Sequence, residues 1–484
     1  MVLPRLPRIA TLFILIFGIL ILGAYLHSPS TANYAPWTET LKNFTPMSEP
    51  MFPFAIDADV KDYHTYNARE IDSLKGCMDG GDCRRNQRKV VLACTHVWPK
   101  AIIDGWRGGE GVWALSMFRA MRELGYTVIL GMDDWKETLT YYRMFPDQVK
   151  VIIQSDWVND CMRDPLCIKS ESNPTGIARW KSEFHFNFFP DPMPGLDAHL
   201  SVEADRYELE EEEDYRRLQY IGYSIEEDCE KQDLIPHAER PMTAWILAKQ
   251  AAYFHVGPHL YAFNDTYYTS TLKEEGLDGL SFRAAYEITD NYMKNDVIEP
   301  IVEVIGVTNL GIIGPDRFRN EVASSRIMIG IGNPPLSPSP YLSLCLATPF
   351  LNPIRTWDSE HPNDRSKWVS QHNYLKWLDP PYVYNVRAHD YQGFVDAIHE
   401  ALNNPPPRYI DPSMTPDSIR KRVKKLVDND WRSIAKTYLE EREAEGEIIA
   451  DIPQEMDLMS RGAESKIPDT SCIMYRLPMD IFHK

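Results

Sequence analysis

The sequence has no basic surplus. Its 51 lysines and arginines face 70 aspartates and glutamates, for a net charge of -19. A nucleic-acid backbone needs a cationic surface, so no nucleic-acid partner is expected. A small anionic ligand needs only a local positive field and stays possible. Metal-ligand spacing is missing as well. The eight cysteines include no C-x-x-C pair, and no H-x-x-x-H partner stands near them, which argues against a zinc site. Two Asp-x-Asp pairs occur, Asp57 with Asp59 and Asp428 with Asp430, yet neither follows a buried strand, so no metal is expected. Internal repeats are absent too. With 484 residues and 44% apolar content, the chain can still bury two or three packed cores.

What is present begins with an uncharged run, Ile9 to Leu26, long enough to cross a bilayer as a helix. Arg5 and Arg8 precede it, and the positive-inside rule then leaves residues 1–8 as a cytosolic tail, 9–26 as a signal anchor and everything after as lumenal. A cleaved signal peptide is the competing reading, with Ala24 or Ser28 before the cut. A lumenal address favours disulfides. Cys77 with Cys83 and Cys161 with Cys167 have matching spacings that suit local pairs, while connectivity as a whole stays open. Asn43 and Asn264 head N-glycosylation sequons. Residues 27–86, rich in Ser, Pro, Asn and Thr, read as a stem.

Two α/β domains are expected beyond the stem, 87–245 and 246–405, with a helical extension at 406–484. In the first, Lys89 to Thr95 is a near-continuous apolar run of the kind a parallel strand buried on both faces shows. A helix over 112–124, a strand over 126–130, a helix over 134–145 and a strand over 149–153 follow. Residues 154–240, dominated by cysteine, aromatics and proline, read as long capping loops. In the second domain, strands are expected near 252–256, 302–307, 326–331, 349–352 and 382–386, with helices over 281–295, 316–325 and 391–402. Further helices are expected over 417–427 and 431–445.

The chain is organised around RIMIGIGNPPLSPSPYLSLCLATPFLNP, residues 326–353, which reads as strand, loop, helix and second strand. Gly330, Gly332 and Asn333 would shape the loop. Pro340 opens the helix, and Ser337 and Ser339 offer hydroxyls, so free N–H groups and the positive helix end could receive an anion. Arg365 and Lys367, in HPNDRSKWVSQH, are candidate cations for the same anion. In the first domain Glu110 lies in RGGEGV, after the first strand and at the start of the first helix, where its carboxylate should reach the carboxyl edge of the sheet.

These motifs resemble glycosyltransferase family 18, the alpha-1,6-mannosylglycoprotein 6-beta-N-acetylglucosaminyltransferases. The resemblance covers IGIG at 329–332, the proline-spaced loop through Pro340, PFLNP at 349–353, SQH at 370–372 and PPYVYNV at 380–386. It implies a GT-B pair of Rossmann-type domains in a Golgi type II membrane protein. The implied reaction moves N-acetylglucosamine from UDP-GlcNAc to a mannose-containing glycoprotein acceptor, without a metal. Glu110 matches the family's catalytic base, with a shorter spacing from its glycines. The family's acidic positions in the loop and first helical turn are Leu336 and Leu342 here, which unsettles ribose binding. A different donor or acceptor, or a binding protein without turnover, are the rival expectations.

Overall fold

The computed structural model describes residues 59–154, 160–161, 164–182, 184–186, 201–203, 218–254, 262–288, 291–294, 297–300, 303–334 and 336–434. All of these fall in one compact unit, Met51–Lys484. The expected membrane span at 9–26 and the sequon at Asn43 lie outside the described residues. Among those described, no helix is long and apolar enough to cross a membrane.

The expected α/β class with two parallel sheets is what the structure has. The first lobe carries six strands in the order Thr127–Gly131, Val90–Cys94, Val149–Gln154, Phe184–Phe186, Ser201–Glu203 and Leu218–Tyr220, each parallel to its neighbour. Every residue of VVLAC and TVILG is buried, because both sheet faces are covered. The last three strands fall where loops were expected. Each has three residues, too few for a period of two to show.

In the second lobe the order is Val307–Asn309, Ser281–Ala284, Thr243–Leu247, Ile327–Gly330 and Phe350–Thr356. Val383–Arg387 runs parallel to Phe350–Thr356, while Val369–Ser370 pairs with it antiparallel. Three expectations are corrected here. The strand expected at 252–256 is a 3-10 turn, Ala251–Phe254, and the strand is the buried TAWIL just before it. The expected domain boundary after residue 245 therefore cuts a central strand. The helix expected over 281–295 is instead Ser281–Ala284 and Asn291–Lys294; burial of Phe282, Ala284 and Tyr286 alternates, as strand side chains do. The strand expected at 302–307 starts at Val307, after Gly306 turns with φ of 84°.

The stem expectation also ends early. Tyr63–Gly80 is a helix capped by the Asp62 carboxylate, which accepts from Thr65 N at 2.8 Å, and stopped by left-handed Gly81. Tyr66, Asn67, Ile71 and Leu74 are buried in the first lobe. Asn67 both accepts from Leu130 N at 2.8 Å and donates to Leu130 O at 2.6 Å. Its amide thus completes the ladder of the outer strand Thr127–Gly131 as another strand would.

The lobes are tied twice. Cys229, in Glu226–Glu230 of the linker, is bonded to Cys345 in helix Ser339–Cys345, and Tyr223 meets Tyr341 edge-on at 5.9 Å. The chain then returns: helix Pro416–Asp428 buries Ile419, Val423, Leu426 and Val427 in one apolar cluster with Trp113, Met117, Tyr341 and Phe350. Asp428 takes Lys89 Nζ at 2.7 Å and the Tyr126 hydroxyl at 3.0 Å, and Asp59 pairs with Arg69. Both Asp-x-Asp pairs thus contribute a structural anchor. The two local disulfides, Cys77–Cys83 and Cys161–Cys167, are formed.

Candidate functional site

After strand Val90–Cys94 the chain makes a short helix, Val97–Ile102, and a loop that ends at Gly108, the N-cap of helix Gly109–Glu123. A Cβ on Gly108 would stand 2.1 Å from the Trp106 ring, and one on Gly111 would stand 2.8 Å from it. These glycines are explained by seating Trp106, with no need for a substrate to approach the backbone. Arg107 stays on its own loop, donating to Ala101 O and Trp106 O, both at 2.9 Å. Glu110, partly exposed in the first helical turn, profits from the helix dipole.

Two other groups feel the Glu110 charge. Tyr253, in the second lobe, has its hydroxyl pushed up first by burial and then by Glu110. His96, in the first-lobe loop after Cys94, is pushed up chiefly by its hydrogen bond to Asp133 and to a lesser degree by Glu110. His96 Nδ1 lies 2.5 Å from Asp133 Oδ2, which also accepts from His96 N at 3.3 Å. Asp133 follows the neighbouring strand Thr127–Gly131, so both come from the carboxyl edge of the first sheet, where α/β folds build their sites.

In the second lobe, Gly330 ends its strand fully buried. A Cβ there would lie 2.3 Å from Gln371 Oε1. Gln371, 1% exposed, accepts from Gly332 N and donates Nε2 to Pro334 O, both at 2.9 Å. Gly332 has φ of 103°, the Asn333–Pro334 bond is cis, and Leu336 is buried with φ of 54°. Gly330 therefore serves packing, and Gln371 sets the loop course. Asn333 is half-buried beside it.

Ser337 is buried; its hydroxyl donates to Ser339 Oγ at 3.1 Å and accepts from Ser339 N at 3.3 Å. Ser339 and Pro340 open a helix of seven residues, one position earlier than expected. Arg365 is committed elsewhere: it pairs with Asp379, donates to Trp377 O at 3.3 Å and stacks over Trp368 at 5.7 Å. Lys367 is exposed, in the field of Asp358 and Asp364. Asn264, the second sequon, caps helix Asp265–Thr271, accepting from Thr266 N at 3.0 Å.

Sequence reasoning missed His96 and Asp133, which stand 37 positions apart and meet only because adjacent parallel strands end side by side. It passed over Gln371 as well, although SQH was part of the family resemblance. His372 beside it is fully buried between Phe350 and Tyr341, at 5.5 and 6.4 Å, and burial pulls its imidazole down to about 3.

No protein-family profile matches this chain, and no curated protein does. Solved structures show a distant likeness. The O-GlcNAc transferase of Thermobaculum terrenum is 9% identical over 82% of this chain and 76% of its own, with a TM-score of 0.36. The glycosyltransferase SnogD of Streptomyces nogalater is 12% identical over 70% and 99%, at 0.28. The iron-containing heptosyltransferase TibC with ADP-D-beta-D-heptose is 12% identical over 71% and 77%, also at 0.28. The likeness is too distant to carry a residue or a reaction across.

Proposed function

We propose that this chain is an inverting glycosyltransferase that moves N-acetylglucosamine from UDP-GlcNAc to the 6-hydroxyl of an alpha-mannose in a glycoprotein N-glycan. One observation carries the reading: Glu110 stands in the first turn of a first-lobe helix, after the first strand and at the sheet's carboxyl edge. The family-18 motifs in 326–386 support the choice of donor and acceptor. In the reaction the acceptor oxygen bonds to the anomeric carbon as the bond to diphosphate breaks, UDP leaves with the electron pair, and the hydroxyl proton goes to Glu110. The loop of Gly332 and Asn333 and the hydroxyls of Ser337 and Ser339 are assigned to the donor, with Lys367 as its cation and no metal. Residues 9–26 would anchor the enzyme in the Golgi membrane with this part lumenal.

The first test is UDP release from UDP-GlcNAc and a mannose-terminated glycan, with and without EDTA, beside Glu110→Gln. Turnover that resists EDTA and falls about a hundredfold in the variant supports the scheme. Unchanged turnover in the variant removes Glu110 from it. A second reading, a lumenal carbohydrate-binding protein without turnover, is favoured by buried Leu336 in the loop and by the commitment of Arg365 to Asp379. Glycan binding by a folded protein that releases no UDP from any donor would establish it.

A further inference from the structure

Among the described residues two tryptophans are exposed, and both stand on one strap of the second lobe: Trp357 at 36% and Trp377 at 48%. The strap leaves strand Phe350–Thr356, turns at Arg365–Lys367, pairs back through Val369–Ser370 and ends in the 3-10 turn Tyr374–Trp377. We propose that it is a glycan-binding subsite, in which pyranose rings stack on the Trp377 and Trp357 indoles while Arg365 and Asp379 hydrogen-bond the ring hydroxyls. The inference goes beyond the transfer reading, since stacking needs neither donor nor turnover.

A chain of contacts fixes the two platforms. Lys376, fully buried, donates Nζ to Trp368 O at 2.8 Å and underlies the Trp377 ring at 5.3 Å, so the accessible part of that indole is turned outward. Arg365 stacks over Trp368 at 5.7 Å, donates to Trp377 O at 3.3 Å and pairs with Asp379. Arg387 lies over the Trp357 ring at 5.5 Å and donates to Pro362 O at 2.9 Å, the same oxygen that accepts from Trp368 Nε1 at 2.9 Å. The indoles are thus held before a ligand arrives, which lowers the ordering cost of binding. A pyranose has an apolar face of C–H bonds and a rim of hydroxyls, each both donor and acceptor. This surface matches both parts. Indole meets the face, while the rim meets the Arg365 fork and the Asp379 carboxylate, 71% exposed, whose Oδ2 no hydrogen bond engages among the described residues. Charge selects the class of ligand. Residues 357–379 hold four aspartates and glutamates against three lysines and arginines, and Arg387 evens the count, so the surface as a whole suits an uncharged ligand. The core of a protein–protein interface is depleted of charge, unlike this strap.

The experiment titrates the full-length protein with uncharged oligosaccharides of mannose, of N-acetylglucosamine and of glucose, and separately with UDP. Binding is read by calorimetry and tryptophan fluorescence in the wild type, Trp377→Ala, Trp357→Ala and Asp379→Asn. The expected results are saturable binding of at least one oligosaccharide with a change in indole emission, and affinity about ten to a hundredfold lower in Trp377→Ala. Trp357→Ala and Asp379→Asn should each lose about three to tenfold, and UDP affinity should stay as in the wild type. Oligosaccharide affinity unchanged in both tryptophan variants overturns the subsite, as does a wild type that binds none of the three sugars. A parallel loss of UDP affinity overturns it too, by making the strap part of the donor pocket. If Trp377→Ala does not fold, unchanged affinity in Trp357→Ala and Asp379→Asn overturns it equally. UDP release decides the transfer reading separately. A wild type that binds an oligosaccharide through these residues and releases no UDP keeps the subsite and sinks transfer; one that releases UDP while the tryptophan variants bind as it does sinks the subsite alone.

Discussion

Gly330 and Gln371 occupy one volume between them. Adding a methyl at 330 pushes the Gln371 amide off Gly332 N and Pro334 O, so Gly330→Ala should cost about 1–3 kcal/mol by overpacking. Gln371→Ala leaves those two backbone groups unpaired and should cost a similar amount, about 1–3 kcal/mol. The double variant should lose less than the sum, because the new methyl enters space the glutamine has left. Urea unfolding of all three checks this, and strict additivity would count against a shared volume. His372 gives a second prediction at this scale. Its folded imidazole stays neutral down to about 3, whereas the unfolded one binds a proton below about 6.5. Unfolding then takes up a proton, and stability should fall by about 1.4 kcal/mol per pH unit below about 6.5 from this residue alone. His372→Phe should flatten that part of the acid limb in urea midpoints between pH 7 and 5, and an unchanged slope would contradict the assignment.

Among the elements, the amphipathic helix Pro416–Asp428 carries the clearest prediction. Leu426 is 1% exposed, so Leu426→Ala should cost about 2–5 kcal/mol, read from the urea midpoint. A loss well under 1 kcal/mol would mean that the helix is not bound to the first lobe. Its existence was legible in the sequence, since apolar residues recur at helical spacing; its destination was not, because periodicity says which face is buried and not against what. The same limit explains the other elements. Strands Val90–Cys94 and Thr127–Gly131 announced themselves as unbroken apolar runs. Tyr63–Gly80 hid in a polar stretch: among its 18 residues only Tyr66, Asn67, Ile71 and Leu74 are buried, and one of these is polar. The site was readable to the same degree. Glu110 could be placed from its position between strand and helix, whereas His96 and Asp133 become neighbours only through sheet register.

For the whole molecule, the Cys229–Cys345 bond closes a sequence separation of 116 between the linker and the second lobe. Paired replacement of both by serine should lower stability by about 2–5 kcal/mol, and the gap between variant and wild type should close in reductant. A gap that persists in reductant would assign the loss to side-chain packing at those positions. The return of the chain adds a consequence for biosynthesis. Because Pro416–Asp428 covers helix Gly109–Glu123, the ribosome must deliver nearly the whole chain before the first lobe has its last wall. Until then Met117 and Met121 stand open to whatever chaperones the compartment provides, and a fragment ending at residue 245 would carry that exposure permanently.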